Sequence, residues 1–225
     1  MEVSVKFLRF AAGCAVVTAL TTLAVHLMPQ LWADADTFEK QLDLRQRGPY
    51  LARLWIVLFH CLLVVVSMYA ICLLTFRTKP AWAGLGFLAF VVFALTEILR
   101  TSLALFAANG NLRERYATNP DPEARGHIRA LLEAFSGLND ALFFIFIVAF
   151  FLGLLSYGAA LVTGTNSDRA IGFLFLGWAV LTLPAIIEAV TGVESLSAKF
   201  EWVGYGFQPI ARAAIGAWLW KKSSG

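Results

Sequence analysis

The sequence predicts an all-α, polytopic membrane protein: a six-transmembrane-helix bundle with an interfacial amphipathic helix between spans 3 and 4. Three observations carry this. The chain has 225 residues, 59% of them hydrophobic, and a mean hydropathy of +0.71, where a soluble domain is about 45–50% apolar. Six apolar runs approach the roughly 20 residues a helix needs to cross a bilayer. No run alternates polar and apolar residues for long enough to build a barrel strand. The whole chain reads as one transmembrane domain. Its net charge of +3 is small, and no nucleic-acid partner is expected.

Span 1 covers about 7–28 and stops at Pro29. Lys6 and Arg9 before it, and Ala33-Asp34-Ala35 after it, imitate a secretory signal. The run is longer than the about 7–15 residues of a signal core, so it is read as a span. A polar stretch follows, where Asp36 is placed to cap a short helix carrying Phe38 and Leu42 on one side. Span 2 covers about 51–75 and ends at the turn Arg77-Thr78-Lys79-Pro80; span 3 covers about 81–108 and ends at Asn109-Gly110, a C-terminal stop signal.

The connection that follows carries a helix start at Asp121-Pro122, cap then proline at the first helical position. Ile128, Leu131, Leu132 and Phe135 recur at i, i+3, i+4 and i+7. Arg125, Arg129 and Glu133 fall off that stripe, and Gly137 is placed to end the helix. Such a helix lies on the bilayer interface or forms a lid over the bundle. Span 4 covers about 141–162, span 5 about 170–191 and span 6 about 202–220. Cys14, Cys61 and Cys72 all fall inside spans, with neither a metal spacing nor a disulfide pattern, and read as small buried apolar residues.

Orientation follows from charge. The termini and short turns carry Lys6, Arg9, Arg77, Lys79, Arg169, Lys221 and Lys222 against Glu2 and Asp168. The long loops carry Asp34, Asp36, Glu39, Asp43, Glu114, Asp121, Glu123 and Glu133. Cationic short loops stay cytoplasmic, which puts both termini inside. Trp82, Trp178, Trp218 and Trp220 then form an inner aromatic belt, and Trp32, Trp55 and Trp202 an outer one.

Within the apolar runs stand Glu97 and Arg100, three residues apart and able to pair on one helical face. His60, Glu188, Tyr205, Gln208 and Arg212 lie at similar depth. At about 1.5 Å per residue, Arg100 and Glu188 lie roughly 6 Å below the outer boundary, His60, Glu97 and Gln208 roughly 10 Å, and Arg212 roughly 15 Å. Glu201, Tyr205, Gln208 and Arg212 share one face of span 6, a stripe unsuited to lipid. Buried charge inside a bilayer is expensive and by default points to a site, although such residues also tie helices together. The site expected is an outward-facing polar pocket walled by Phe143, Phe144, Phe146 and Phe150. It would bind a membrane lipid or a quinone-like or sterol-like small molecule.

Metal and enzyme chemistry find little support. A bis-histidine haem on His26 and His60 needs equal depth, and arginines would compete with a cation held by His60, Glu97 and Glu188. His127 reads as a solvated surface histidine. There is no His-Glu-x-x-His, no serine elbow and no phosphate-cradling glycine loop, so no catalytic residue is assigned. His60 with Glu97 remains an acid/base alternative on a lipophilic substrate, and transport of a small molecule or ion is a second alternative. A role as accessory subunit of a membrane complex, or as a homo-oligomer, is also consistent.

The chain resembles an uncharacterised bacterial family of six-span membrane proteins, domain of unknown function 4386. The likeness rests on the six spans, the Arg9-to-Gly13 opening, the long first external loop, Lys79-Pro80 before span 3 and the ending Trp218-Leu219-Trp220-Lys221. It implies a bacterial cytoplasmic (inner) membrane location and no particular activity, cofactor or ligand.

Overall fold

The computed structural model describes residues 3–32, 35–192 and 197–224, the side chains of 197–202 excepted. Expectations resting on Glu2, Ala33, Asp34 or the side chains of Glu201 and Trp202 lie outside the described residues. Every regular element among those residues is helical: α1 (Val5–Leu27), α2 (Phe38–Gln46), α3 (Gly48–Phe76), α4 (Pro80–Ser102), α5 (Glu114–Thr118), α6 (Pro122–Leu161), α7 (Asn166–Thr191) and α8 (Ser197–Lys222). A 3-10 turn, Met28–Leu31, ends α1, and a π-helical segment, Leu103–Arg113, carries α4 into α5. Among the described residues, five stretches are long and apolar enough to cross a membrane: Val5–Leu31, Gly48–Phe76, Pro80–Thr118, Pro122–Leu161 and Asn166–Thr191. This is a helical membrane protein.

The six long helices form a closed ring in the order α1, α3, α4, α6, α7, α8, with α8 returning against α1. Lipid tails are as apolar as leucine, so such helices associate through close packing and hydrogen bonds rather than water exclusion. Small residues make the close packing possible. α1 buries Ala11, Ala12, Ala15 and Ala19 along one face. A methyl group on Gly172 of α7 would stand 2.6 Å from the backbone nitrogen of Val162, which backbone cannot yield.

Aromatic rings fill the half of the ring nearer the chain termini. Tyr157 stacks on Phe90 at 5.6 Å, Phe150 meets Phe90 edge-on at 5.9 Å, and Trp178 meets Phe150 edge-on at 5.2 Å. Tyr157 Oη donates to the Met68 carbonyl at 2.8 Å. Asp168 locks the end of this half. It accepts from Lys222 Nζ at 2.7 Å, Trp218 Nε1 at 3.0 Å and Thr165 Oγ1 at 2.7 Å, so it caps α7 and ties it to α8. Asp168→Asn should cost about 1 kcal/mol of stability, the worth of a partly exposed charged hydrogen-bond cluster. A thermal melt in detergent unmoved by that change would show that the tie carries nothing.

The other end departs from the sequence-based expectation. The amphipathic segment is not a separate interfacial helix, because α6 runs unbroken through Gly137 for 40 residues. At 1.5 Å per residue that is about 60 Å, twice the about 30 Å of bilayer hydrocarbon. Nor does the third helix stop at Asn109-Gly110; helical backbone continues to Thr118. A glycine ends a helix by turning left-handed, and among the described residues only Gly192 does so, its N–H donating to the Glu188 carbonyl at 2.8 Å. Gly110 and Gly137 stay helical, at about 1 kcal/mol each relative to alanine.

The two overlong helices therefore pair beyond the ring. Ile128, Leu132 and Phe135 pack with Ala108, Leu112 and Tyr116, and with Phe38 and Leu42 of α2. Leu131, on the same predicted stripe, is 56% exposed. Arg125 lies over Tyr116 and Arg129 over Phe38, at 4.7 and 4.8 Å, and Arg129 also pairs with Glu133 at 3.0 Å. His127 is exposed beside Glu123. The cap of α2 is Thr37, which accepts from Lys40 N, whereas Asp36 pairs with Lys40 Nζ at 2.7 Å. Trp178 and Trp218 are buried in the core rather than in an interfacial belt, while Trp82, Trp220 and Trp55 are exposed. Cys14, Cys61 and Cys72 are free and buried.

Candidate functional site

The half of the ring away from the termini is hollow. Its cavity measures about 620 Å³, and every one of the six long helices contributes to its wall. The contributions follow helical periodicity. α3 presents Arg53, Val57, His60 and Cys61; α6 presents Phe143, Phe146, Ile147 and Phe150; α8 presents Gly204, Tyr205, Gln208 and Arg212. Each set recurs at steps of three or four residues, with one adjacent pair, along one face. Thr22, Val25 and His26 of α1, Phe93 and Glu97 of α4, and Leu181, Pro184, Ala185 and Glu188 of α7 complete the wall.

Six of the seven residues singled out in the sequence therefore meet at one cavity: His60, Glu97, Glu188, Tyr205, Gln208 and Arg212. Arg100 does not line it. Its Nε and Nη2 donate to the two Glu97 carboxylate oxygens at 2.8 and 2.6 Å, and its Nη1 reaches Asn139 Oδ1 at 3.3 Å. Arg100 thus stands behind Glu97 and fixes its carboxylate toward the cavity. Phe144 also falls away, at 39% exposure on the outside of α6. It is one position off the face that Phe143, Phe146 and Phe150 share, and one position is a turn of about 100°.

Arg53 and His26 also line the cavity; the sequence reading left Arg53 out and weighed His26 only as a haem ligand. Arg53 was legible, since it precedes His60 by seven residues and so shares its face. Its Nε donates to the Val25 carbonyl at 3.0 Å, and its guanidinium lies 5.8 Å from the centre of the Trp32 ring. His26 stacks on Tyr205 with ring centres 4.3 Å apart, a contact between the first and last helices that spacing within either helix could not reveal. His60 Nδ1 is held by Thr21 Oγ1 at 2.7 Å, which fixes the ring's orientation.

The charges do not pair off as their number suggests. Glu97 has Arg100, but Glu188 and Arg212 make no ion pair among the described residues. Glu188 Oε2 and Arg212 Nε are both buried without a hydrogen-bond partner. Arg212 is only 4% exposed, and its guanidinium lies 5.2 Å from the centre of the Trp178 ring. Trp178 is thus the base on which the arginine rests. No group of three His, Cys, Asp or Glu side chains among the described residues is arranged to hold a metal ion.

Fold and cavity together define a helical membrane protein with a polar chamber in one half of its bundle and a packed core in the other. No family model, no curated protein and no solved structure matches the chain.

Proposed function

We propose that the protein is a six-span bundle of the bacterial inner membrane, both termini cytoplasmic, whose chamber opens toward the outer leaflet and binds a lipophilic molecule by its polar head. α8 serves as the sixth span: it has 26 residues and completes the ring between α7 and α1. The observation that carries the reading is a buried arginine, Arg212, whose Nε has no hydrogen-bond partner, on the wall of one 620 Å³ cavity that is also lined by Glu188, a half-buried glutamate with one unsatisfied buried oxygen. Leaving one buried charge without a partner is strongly destabilising, by about 3–5 kcal/mol. A bound head group removes that penalty. The volume sits within the about 300–1,000 Å³ of small-molecule sites, and a mostly apolar wall with a few convergent polar groups is the usual pattern there. Trp178, Phe175, Tyr157 and Leu219 fill the bundle beneath the chamber, which favours a binder over a conduit.

Native mass spectrometry of the protein in mild detergent tests this. Wild type should release a lipophilic species, and Arg212→Gln and Glu97→Gln should each lower its occupancy about tenfold, the equivalent of about 1.4 kcal/mol. Identical bound species at identical occupancy in all three proteins would remove the basis for a binding role.

A further inference from the structure

We infer that the occupant is a lipophilic acid, bound head-down, with its oxyanion on Arg212 and a single apolar chain along Phe143, Phe146 and Phe150. The inference rests on the binding role proposed above and adds the charge and direction of the ligand.

Charge comes first. Among the described residues, the chamber and the groups directly behind it hold three guanidinium groups, Arg53, Arg100 and Arg212, against two carboxylates, Glu97 and Glu188. Arg100 takes both oxygens of Glu97. Among the described residues, one positive charge therefore exceeds what the wall neutralises, and a neutral head group would leave it so. An alcohol or quinone carbonyl satisfies a donor but not a charge. A carboxylate or phosphate does both, and matches the guanidinium fork with two parallel hydrogen bonds.

Position comes second. Glu188 stands one turn from the end of α7, whereas Arg212 lies about four turns into α8 from the same end of the bundle. The carboxylate is thus at the rim and the guanidinium at the floor. Phe93, Phe150 and Trp178 surround that floor and exclude water, which strengthens an ion pair formed there. Glu188 at the rim repels an anion and so favours a head that passes it and settles on Arg212. The volume accommodates one chain rather than a two-chain lipid.

The test uses delipidated full-length protein, titrated with oleate, oleyl alcohol and lysophosphatidate, bound species being counted by native mass spectrometry. Wild type should bind oleate or lysophosphatidate at least about tenfold more tightly than oleyl alcohol, a charge preference of at least about 1.4 kcal/mol. Whichever anion binds more tightly identifies the head as carboxylate or phosphate. Arg212→Lys should keep the preference for acid over alcohol, and Arg212→Gln should abolish it. Equal wild-type affinity for acid and alcohol would overturn the acidic ligand while leaving the chamber a binding site. Binding of none of the three would overturn both. The wild-type comparison decides the matter even if Arg212→Gln fails to fold.

Discussion

Glu97→Leu should destabilise the folded bundle by about 3 kcal/mol or more, while Glu97→Leu combined with Arg100→Leu should recover most of the loss. Glu97 is buried, and its carboxylate receives two hydrogen bonds from one arginine. Removing it alone strands a guanidinium whose remaining protein hydrogen bond is to Asn139. Removing both takes the cost of burying charge away together with the attraction. Arg100 retains 27% side-chain exposure, so part of the stranded charge can turn outward. For that reason the low end of the about 3–5 kcal/mol range is expected. The measurement is a double-mutant cycle of denaturant unfolding in detergent micelles, read as a coupling energy. A double variant no more stable than Glu97→Leu would mean that the pair is not what Glu97 contributes. The same double variant leaves Arg212 in place, so it separates the two parts of the chamber. If the oxyanion sits on Arg212, an acidic ligand should lose no more than the about tenfold expected of Glu97→Gln when the Glu97–Arg100 pair is gone.

Much of this arrangement was legible because a bilayer makes polarity informative. In a soluble protein Glu97, Glu188 and Arg212 would say little. Inside apolar runs they are costly enough that the helices bearing them turn those faces inward, and helical spacing then fixes which neighbours accompany them. The span 6 stripe led to Tyr205, Gln208 and Arg212 in this way, and all three line the chamber. What the sequence does not encode locally is pairing between helices. The Glu97–Arg100 pair, three residues apart on one helix, was legible and forms, but nothing local to either helix told that Arg212 would lie over Trp178 rather than pair with Glu188. The helix ends were misread for another reason. Asn109-Gly110 and Gly137 are stop signals only if the chain has somewhere to turn. Here Asn109 is buried and accepts a hydrogen bond from Arg113 within a π-helical segment. The apolar stripe of α6, in turn, has Tyr116 and Phe38 to pack against. Tertiary packing outweighed about 1 kcal/mol of glycine preference.

Trp178→Ala should destabilise the bundle by about 3 kcal/mol and weaken binding in the chamber as well, although the tryptophan is not itself on the wall. Trp178 is 2% exposed and touches Phe150, Phe207 and the guanidinium of Arg212. In lipid the hydrophobic transfer component of such a change is small, because the unfolded helices stay in an apolar solvent. The void left behind is not small, since its lining loses contacts that neighbouring helices cannot close up to replace. Beyond that, the floor of the chamber loses its support. Arg212 would drop toward the new space and no longer meet a head group from above. Trp178→Phe keeps a ring beneath the arginine and should keep binding, at a smaller stability cost. The checks are unfolding in micelles for stability and oleate titration for binding, on both variants. Loss of stability with unaltered oleate affinity in Trp178→Ala would show that Arg212 holds its place without the tryptophan.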